Sequence, residues 1–506
     1  MPFSRFSLGR SCRAVSRRLS LALIGICLAN AWNSWAESPL LQIQPLATRD
    51  APPTTRLFSA LHAAETELRA PNDYDDPRMW GERYQEFLFG AIGTGVAIGD
   101  YDGDGKPDIF VVSKTGSCHL FRNLGDYHFL DITRLAGLEE TGEQAKVWKQ
   151  GVTFVDINND GKLDLYICRF NAPNLLYINQ GNGTFKEMAH AYGLDVVDAC
   201  GMASFADYDR DGRLDVYIAT NLLDVNKSPK GQRGYLFHNN GNGTFTNVTE
   251  RAGIRGETQS HSATWWDFDG DGWPDLYVAN DYGLPDKLYH NNHDGTFTDM
   301  MNQTVPHTSF ASMGADTGDV NNDGRIDLFV ADMAGTTHEK FMRNEADVRS
   351  RQSSPEGRDH GAMKYGHNAL LLNTGTGHFQ EAAFMAGLAA TDWTWAVRWE
   401  DFDNDGLLDL FVTNGMVVEQ NTDVHNRIIA VESPAERIAI MHNSPELREN
   451  KLLFRNLGDL QFEDVSKAWG VDQNGISFGA ATGDLSGCGN EDIVYSNYHD
   501  DPTVLR

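Results

Sequence analysis

One acidic motif recurs through this chain and limits what it can fold into. Asp100-Tyr101-Asp102-Gly103-Asp104-Gly105-Lys106-Pro107-Asp108 puts carboxylates at alternate positions, a Gly after the third and a fourth Asp three residues later. Alternate side chains of a tight turn converge, which suits a hard cation such as Ca²⁺ that takes several oxygens at once. The Gly permits the sharp reversal that closes the loop. A single acidic turn of this kind is equally at home on a solvated surface. Repetition separates the two readings.

The frame returns as Asp156-Asn158-Asp160-Gly161-Asp164, Asp207-Asp209-Asp211-Gly212-Asp215 and Asp267-Asp269-Asp271-Gly272-Asp275. It continues as Asp319-Asn321-Asp323-Gly324-Asp327 and Asp401-Asp403-Asp405-Gly406-Asp409. A seventh version, Asp484-Ser486-Cys488-Gly489-Asp492, keeps the frame and loses two carboxylates. First-Asp positions are separated by 56, 51, 60, 52, 82 and 83 residues, a period that signals a repeat architecture.

Each loop joins two strand-like runs, as Gly95 to Ile98 and Ile109 to Val112 flank the first. The runs are apolar without clean alternation, as expected of strands buried on both faces. A second hairpin follows each first one, such as Leu175 to Asn179, the turn Gln180-Gly181-Asn182-Gly183, and Thr184 to Met188. Gly and Asn there supply the positive φ of tight turns. Each repeat therefore offers four strands, A to D, with the acidic loop as the A–B turn. Seven such units predict an all-β fold, a seven-bladed β-propeller of four-stranded blades, in preference to a linear solenoid. The last repeat lacks a strand D, and Leu57 to Ala63 resembles the D segment Thr184 to His190. The N-terminal segment is thus expected to close the last blade, leaving no open sheet edge.

The first 36 residues read differently. Five Arg precede an apolar run from Leu19 to Ala31, and Ser34-Trp35-Ala36 fits a small-x-small cleavage site, the layout of a secretory signal peptide. Ser16 to Leu21 also resembles a twin-arginine export signal. Residues 37–56 read as a linker and 57–506 as the repeat domain, with insertions at 333–367 and 415–450. The chain is expected to be extracytoplasmic (periplasmic or secreted), monomeric, and without a transmembrane domain once the signal is removed. Its net charge of −29, or −34 without those five Arg, argues against nucleic acid as a partner. Cys118, Cys168, Cys200 and Cys488 have no metal-ligand spacing, and either disulfides or buried thiols are compatible with their positions.

The frame Gly-x5-Asp-x-[Asp/Asn]-x-Asp-Gly-x-x-Asp resembles the FG-GAP/VCBS repeat of integrin α-subunit propellers. With the Asn-x-Gly-x-Gly-x-Phe hairpins and the Ala136-Gly137-Leu138, Tyr192-Gly193-Leu194 and Ala252-Gly253-Ile254 linkers, it is similar to the group related to cartilage acidic protein. Members of that group often carry a further C-terminal ASPIC/UnbV domain; this sequence stops before one could begin, so it reads as either a shorter relative or a fragment. The resemblance implies an extracytoplasmic propeller stabilised by calcium and used for adhesion or binding. It also implies ligands: side chains at loop positions one, three, five and nine, and the carbonyl at seven. In the first loop these are Asp100, Asp102, Asp104 and Asp108 with the carbonyl of Lys106, and the next five loops follow in register. The seventh is expected to be empty.

An EF-hand needs Glu at its twelfth position, where this chain has Val111 and Val278, so that reading fails. Gathering 22 Asp into six loops without a cation would cost roughly 1 kcal/mol or more per contact-range pair even in water. The expected cofactor is Ca²⁺ at about six sites, held with affinities of roughly 10⁻⁴–10⁻³ M or tighter. Long connections occur instead between strands B and C, at Thr220 to Gly234, Met333 to His367 and Gly415 to Asn450, with helix-like runs in the last. They lie on the face opposite the acidic loops, where function is expected to sit. Arg343, Arg349, Arg351, Arg358, His338, His360 and His367 make one of them basic. Trp148, Trp393 and Trp395, near that face, are expected to pack between blades rather than stack on sugar rings. No compact nucleophile–base signature is present, so the chain reads as a non-enzymatic module for an unknown protein or glycan partner. A carbohydrate-active enzyme or lectin on the same scaffold is the alternative.

Overall fold

The computed structural model describes residues 56–221, 233–281, 284–342, 363–419 and 421–506, all within one compact unit, Arg49–Arg506. The expected signal peptide, the linker up to residue 55, most of the Thr220 to Gly234 connection, and Arg343, Arg349, Arg351, Arg358 and His360 lie outside the described residues. The fold is all-β, built mostly from antiparallel sheets with short helices between them; His307–Ser309 and Met363–Tyr365 form one parallel pair.

Each acidic loop joins an A strand to a B strand, and a C–D hairpin follows. In the first repeat the strands are Val96–Gly99, Asp108–Val111, His119–Gly125 and His128–Asp131, hydrogen-bonded in that order. The pattern recurs in the later repeats, as in Ser260–Trp266, Asp275–Asn280, Lys287–Asn291 and Phe297–Asp299. The second and third repeats share one larger sheet, because Val197–Ala199 pairs with the extended end of the preceding B strand at Phe170–Pro173. B strands such as Asp275–Asn280 are buried at every position, which is why their sequence runs apolar without alternation.

A strands stand side by side: each contacts the A strand of the next repeat, and Ser477–Gly483 contacts Val96–Gly99. Their closeness explains the Gly near their starts. A Cβ on Gly151 would lie 2.6 Å from the Gly201 carbonyl oxygen, and one on Gly314 would lie 2.4 Å from that of Trp395. A cavity of about 330 Å³ remains between these strands.

The N-terminal segment pairs with the last repeat as its fourth strand, Ala60 opposite Leu505 and Leu61 opposite Val504. The likeness to strand D continues past the strand. The one-turn helix Ala63–Thr66 follows it, as Ala189–Tyr192 follows Phe185–Glu187. Phe58 anchors the junction, fully buried, 5.6 Å from the Phe402 ring in an edge-to-face contact, its N–H donating to the Trp469 carbonyl at 2.7 Å.

Beyond that strand the chain crosses the end of the A strands remote from the acidic loops. The helix α1 (Tyr84–Gly90) lies there, and the 415–450 insertion supplies α2 (Thr422–Ile429) and α3 (Pro434–His442). Asn421 and Ser433 cap the latter two, accepting the N–H groups of Val424 and Glu436. One hydrophobic cluster unites these pieces: Tyr74, Met79, Phe87, Ile92, Val424 and Met441 with Trp148, Trp393 and Phe478. Trp148 and Trp393 are therefore buried in a cluster that draws on several repeats, closed to a ligand, and Trp395 packs against it beside the cavity between the A strands. Trp148 is 1% exposed, lies under the Arg83 guanidinium at 3.8 Å and donates to Asp76 at 2.9 Å.

The four cysteines among the described residues are free thiols; Cys118, Cys168 and Cys200 are buried and Cys488 is exposed. Burial pushes the Cys118 and Cys200 thiols up to about 12, so they stay protonated and inert.

Phe58→Ala should lower unfolding stability by about 3–5 kcal/mol, read from denaturant melts. A melt unchanged from the parent would mean that the N-terminal strand does not hold the last sheet together.

Candidate metal centres

The turn is built by its first Asp. Asp100 Oδ1 accepts the N–H groups of Gly103 and Asp104, and Oδ2 accepts that of Gly105 at 2.8 Å. Asp156, Asp207, Asp267, Asp319, Asp401 and Asp484 repeat the bond to the Gly at position six. That Gly has φ between 80° and 89° in all seven loops, a region where a side chain is strained. The seventh loop thus keeps the turn while Ser486 and Cys488 stand where the others have acidic or amide oxygens.

The ninth residue is the buried end of the site. Asp108, Asp164, Asp215, Asp275, Asp327 and Asp409 begin the B strands and are essentially inaccessible. Each accepts one N–H from the C strand across the sheet, that of Asn123, Asn179, Asn239, Asn291, Asn373 or Asn456, at 2.7–2.8 Å. In five of the six the other oxygen accepts the N–H of loop position two, such as Tyr101 at 3.1 Å or Phe268 at 3.1 Å.

The same Asn residues were not singled out as site residues by sequence reasoning, yet they join repeat to repeat. Asn179 Nδ2 donates to the Tyr101 carbonyl of the preceding loop at 2.8 Å. Asn239, Asn291, Asn373 and Asn456 reach Ile157, Tyr208, Phe268 and Val320 in the same way. Asn123 reaches Leu485 at 2.8 Å, linking the first repeat to the last. Each also donates to its own loop and accepts a turn N–H, as Asn291 does with Pro274 and His293. The signal was available: an Asn closes every C strand from the first repeat to the sixth.

The loops bring the expected residues together. Ligand oxygens of Asp100, Asp102 and Asp108 lie within 4.8 Å of one another, as do those of Asp207, Asp209 and Asp215, and of Asp267, Asp269 and Asp271. Asp104 and Asp160 instead turn toward Lys106 and Lys162, at 3.2 and 2.8 Å. His238 and His290, which sequence reasoning did not select, complete clusters with Asp209 and Asp211 and with Asp269 and Asp275. Among the described residues, Asp209 Oδ1, Asp215 Oδ2 and Asp403 Oδ1 are buried and meet no hydrogen-bond donor. Buried carboxylate oxygens without donors are what a hard cation satisfies, so the donor set fits Ca²⁺.

Charge is costly here without a cation. Burial, and behind it the neighbouring loop carboxylates, pushes Asp108, Asp164 and Asp327 up to about 7 and Asp215, Asp275 and Asp409 up to about 8, against the pull of their backbone N–H bonds. These folded-state values lie above the unfolded value of about 4, so the stability they contribute is present below that pH and is lost as pH rises through about 7–8. In chelator, thermal midpoints should fall between pH 5 and pH 8; a flat or rising profile would contradict this. Asn291→Ala should cost about 2–4 kcal/mol in denaturant melts, because it leaves the Tyr208 and Pro274 carbonyls unbonded. A loss no larger than that of an exposed Asn→Ala control would show that these bonds do not join the repeats.

The geometry agrees with the comparisons. The family model for an FG-GAP-like repeat matches residues 100–167, 156–218, 222–278, 267–330 and 361–412. Human cartilage acidic protein 1 is 25% identical over 223 residues, covering 44% of this chain and 33% of that protein. Chicken integrin alpha-V is 27% identical over 238 residues, covering 41% of this chain and 22% of that protein. The chain thus spans a third or less of the length of these relatives. An Agrocybe aegerita lectin described as recognising non-reducing terminal N-acetylglucosamine overlays with a TM-score of 0.43 at 16% identity, over 80% of this chain and 86% of that one. Among the described residues, no helix is long and apolar enough to cross a membrane. With matches over more than half of its length, the chain belongs to the FG-GAP-like repeat family, whose repeats form β-propellers.

Proposed function

We propose that this protein is an exported, calcium-binding, seven-bladed β-propeller that acts as a non-enzymatic binding or adhesion module for a protein or glycan. The observation that carries the reading is the set of six acidic loops on a scaffold of this family, the third and sixth of which hold buried carboxylate oxygens that meet no donor. Calcium would be held by the side chains at loop positions one, three, five and nine, from Asp100 to Asp409, and by the carbonyl at position seven. Bound there, the ion neutralises like charges and stiffens the A–B turns. The residues themselves fix those turns and reach across to the C strands.

The partner surface belongs to the face opposite the loops, carried by α2 and α3. Val424 and Met441 bury one side of this pair in the hydrophobic cluster, and Arg427, Ile429 and Arg437 are exposed. A rigidly seated pair of capped helices is a suitable platform for recognition, since little is left to order on binding. The described start of the 333–367 insertion is tied to the same strand ends by Lys340, partly exposed, which pairs with buried Asp392 and with buried Glu449 at 3.3 Å.

Excess EGTA should lower the thermal midpoint by several degrees and restored Ca²⁺ should recover it; an unchanged melt would remove the metal from the reading. A glycan array, with turnover assays on any hit, separates the module from the enzyme. Retention without turnover supports the module. Turnover lost on substituting a residue of the opposite face would overturn it.

A further inference from the structure

Two positions far apart in each repeat vary together. Loops one, three, four and six have Asp102, Asp209, Asp269 and Asp403 at position three. The residues just before their C-strand Asn are Arg122, His238, His290 and Arg455. Loops two and five have Asn158 and Asn321, and there the same C-strand place holds Ile178 and Leu372. None of the six mixes the patterns.

The registers coincide, because Phe121, Tyr177, Phe237, Tyr289, Leu371 and Phe454 all stand opposite the residue after the ninth-position Asp. Arg122 Nε lies 2.7 Å from Asp102 Oδ2, and Arg455 Nη2 lies 2.6 Å from Asp403 Oδ2. His238 Nδ1 lies 3.2 Å from Asp209 Oδ2, and His290 Nδ1 lies 3.3 Å from Asp269 Oδ2. Both guanidinium groups also reach position five, at Asp104 and Asp405. Ile178 and Leu372 instead join hydrophobic clusters between neighbouring repeats.

Each fourth carboxylate raises the repulsion within a loop, and the protein adds a base where that carboxylate is present and none where an amide replaces it. In loops one and six the C-strand Arg pairs with one oxygen of the position-three carboxylate and offsets the fourth charge. In loops three and four the His stands between position three and the ninth-position Asp, His238 Nδ1 at 3.1 Å from Asp215 Oδ1 and His290 Nδ1 at 3.3 Å from Asp275 Oδ1. In Asp209 and Asp403 the other oxygen, Oδ1, is buried and unbonded.

We infer that position three and the C-strand residue before Asn form a matched pair, in which a base accompanies the position-three carboxylate and an apolar residue accompanies the amide. The C-strand base is a positioning residue: it turns one oxygen of the position-three carboxylate away from the ion site and leaves the other for it. This extends the calcium reading above, and its electrostatic half stands without the metal.

The test is a double-mutant cycle in the full chain on loop one, repeated on loop six: Asp102→Asn, Arg122→Leu and both together, then Asp403→Asn, Arg455→Leu and both together. In chelator, Arg122→Leu should lower the thermal midpoint and the double variant, which recreates the pattern of loops two and five, should recover it. In calorimetric Ca²⁺ titrations, Asp102→Asn alone should weaken one site about fivefold or more, since the guanidinium then faces an amide, and the double variant should recover it. Additive single effects in both readouts would overturn the pairing even if Ca²⁺ binds. A parent protein without Ca²⁺ heat but with a non-additive cycle in chelator would sink the calcium reading and leave the pairing standing.

Discussion

Everything in this structure hangs on one buried carboxylate per repeat. The Asp that opens each B strand accepts N–H groups from its own turn and from the C strand, so it ties the A–B hairpin to the C–D hairpin. The Asn it holds reaches back to the preceding loop. Two side chains thus do within and between sheets what backbone ladders cannot, because neighbouring four-stranded units meet face to face and share few backbone bonds. Buried charge is tolerable there only with hydrogen bonds or a cation to meet it. The acidic loops are consequently part of the architecture whether or not the ion is bound.

The opposite end of the molecule is organised by apolar burial. Residues 74–92 and the helices of the 415–450 insertion share one cluster over the ends of the A strands. The N-terminal segment serves both systems, first as the outer strand of the last sheet and then as part of this cover. Closure of the repeat array and coverage of its end are therefore coupled through one stretch of chain. Among the described residues, α2 and α3 form a helical surface outward of the cover. This places the proposed recognition on a preordered platform.

The repeat frame, the strand character and the loop ligands were legible because each depends on local chemistry. A Gly must follow the third oxygen-bearing side chain, and a doubly buried strand must be apolar along its length. The N-terminal closure was legible for a different reason: Leu57 to Ala63 carries the pattern of a strand D with no C strand beside it in sequence, and Ala60 pairs with Leu505, 445 residues away. The tryptophans were legible as core residues and not as to which core. Trp148 packs on Phe87 and Arg83, and nothing in a local window pairs those positions.

The sequence by itself determined the all-β class, the repeat, the sites of the turns and the residue types offered to a cation, since all of these follow from spacing within about fifteen residues. Only the tertiary structure decided which C-strand base faces which loop carboxylate, which Asn bridges to which neighbour, and what covers the far end. Those pairings depend on strand register and on the stacking of one repeat against the next. Register turns a base twenty to twenty-nine residues beyond position three, or fifty-two beyond it where the insertion intervenes, into a neighbour within about 3 Å, as with Arg455 and Asp403.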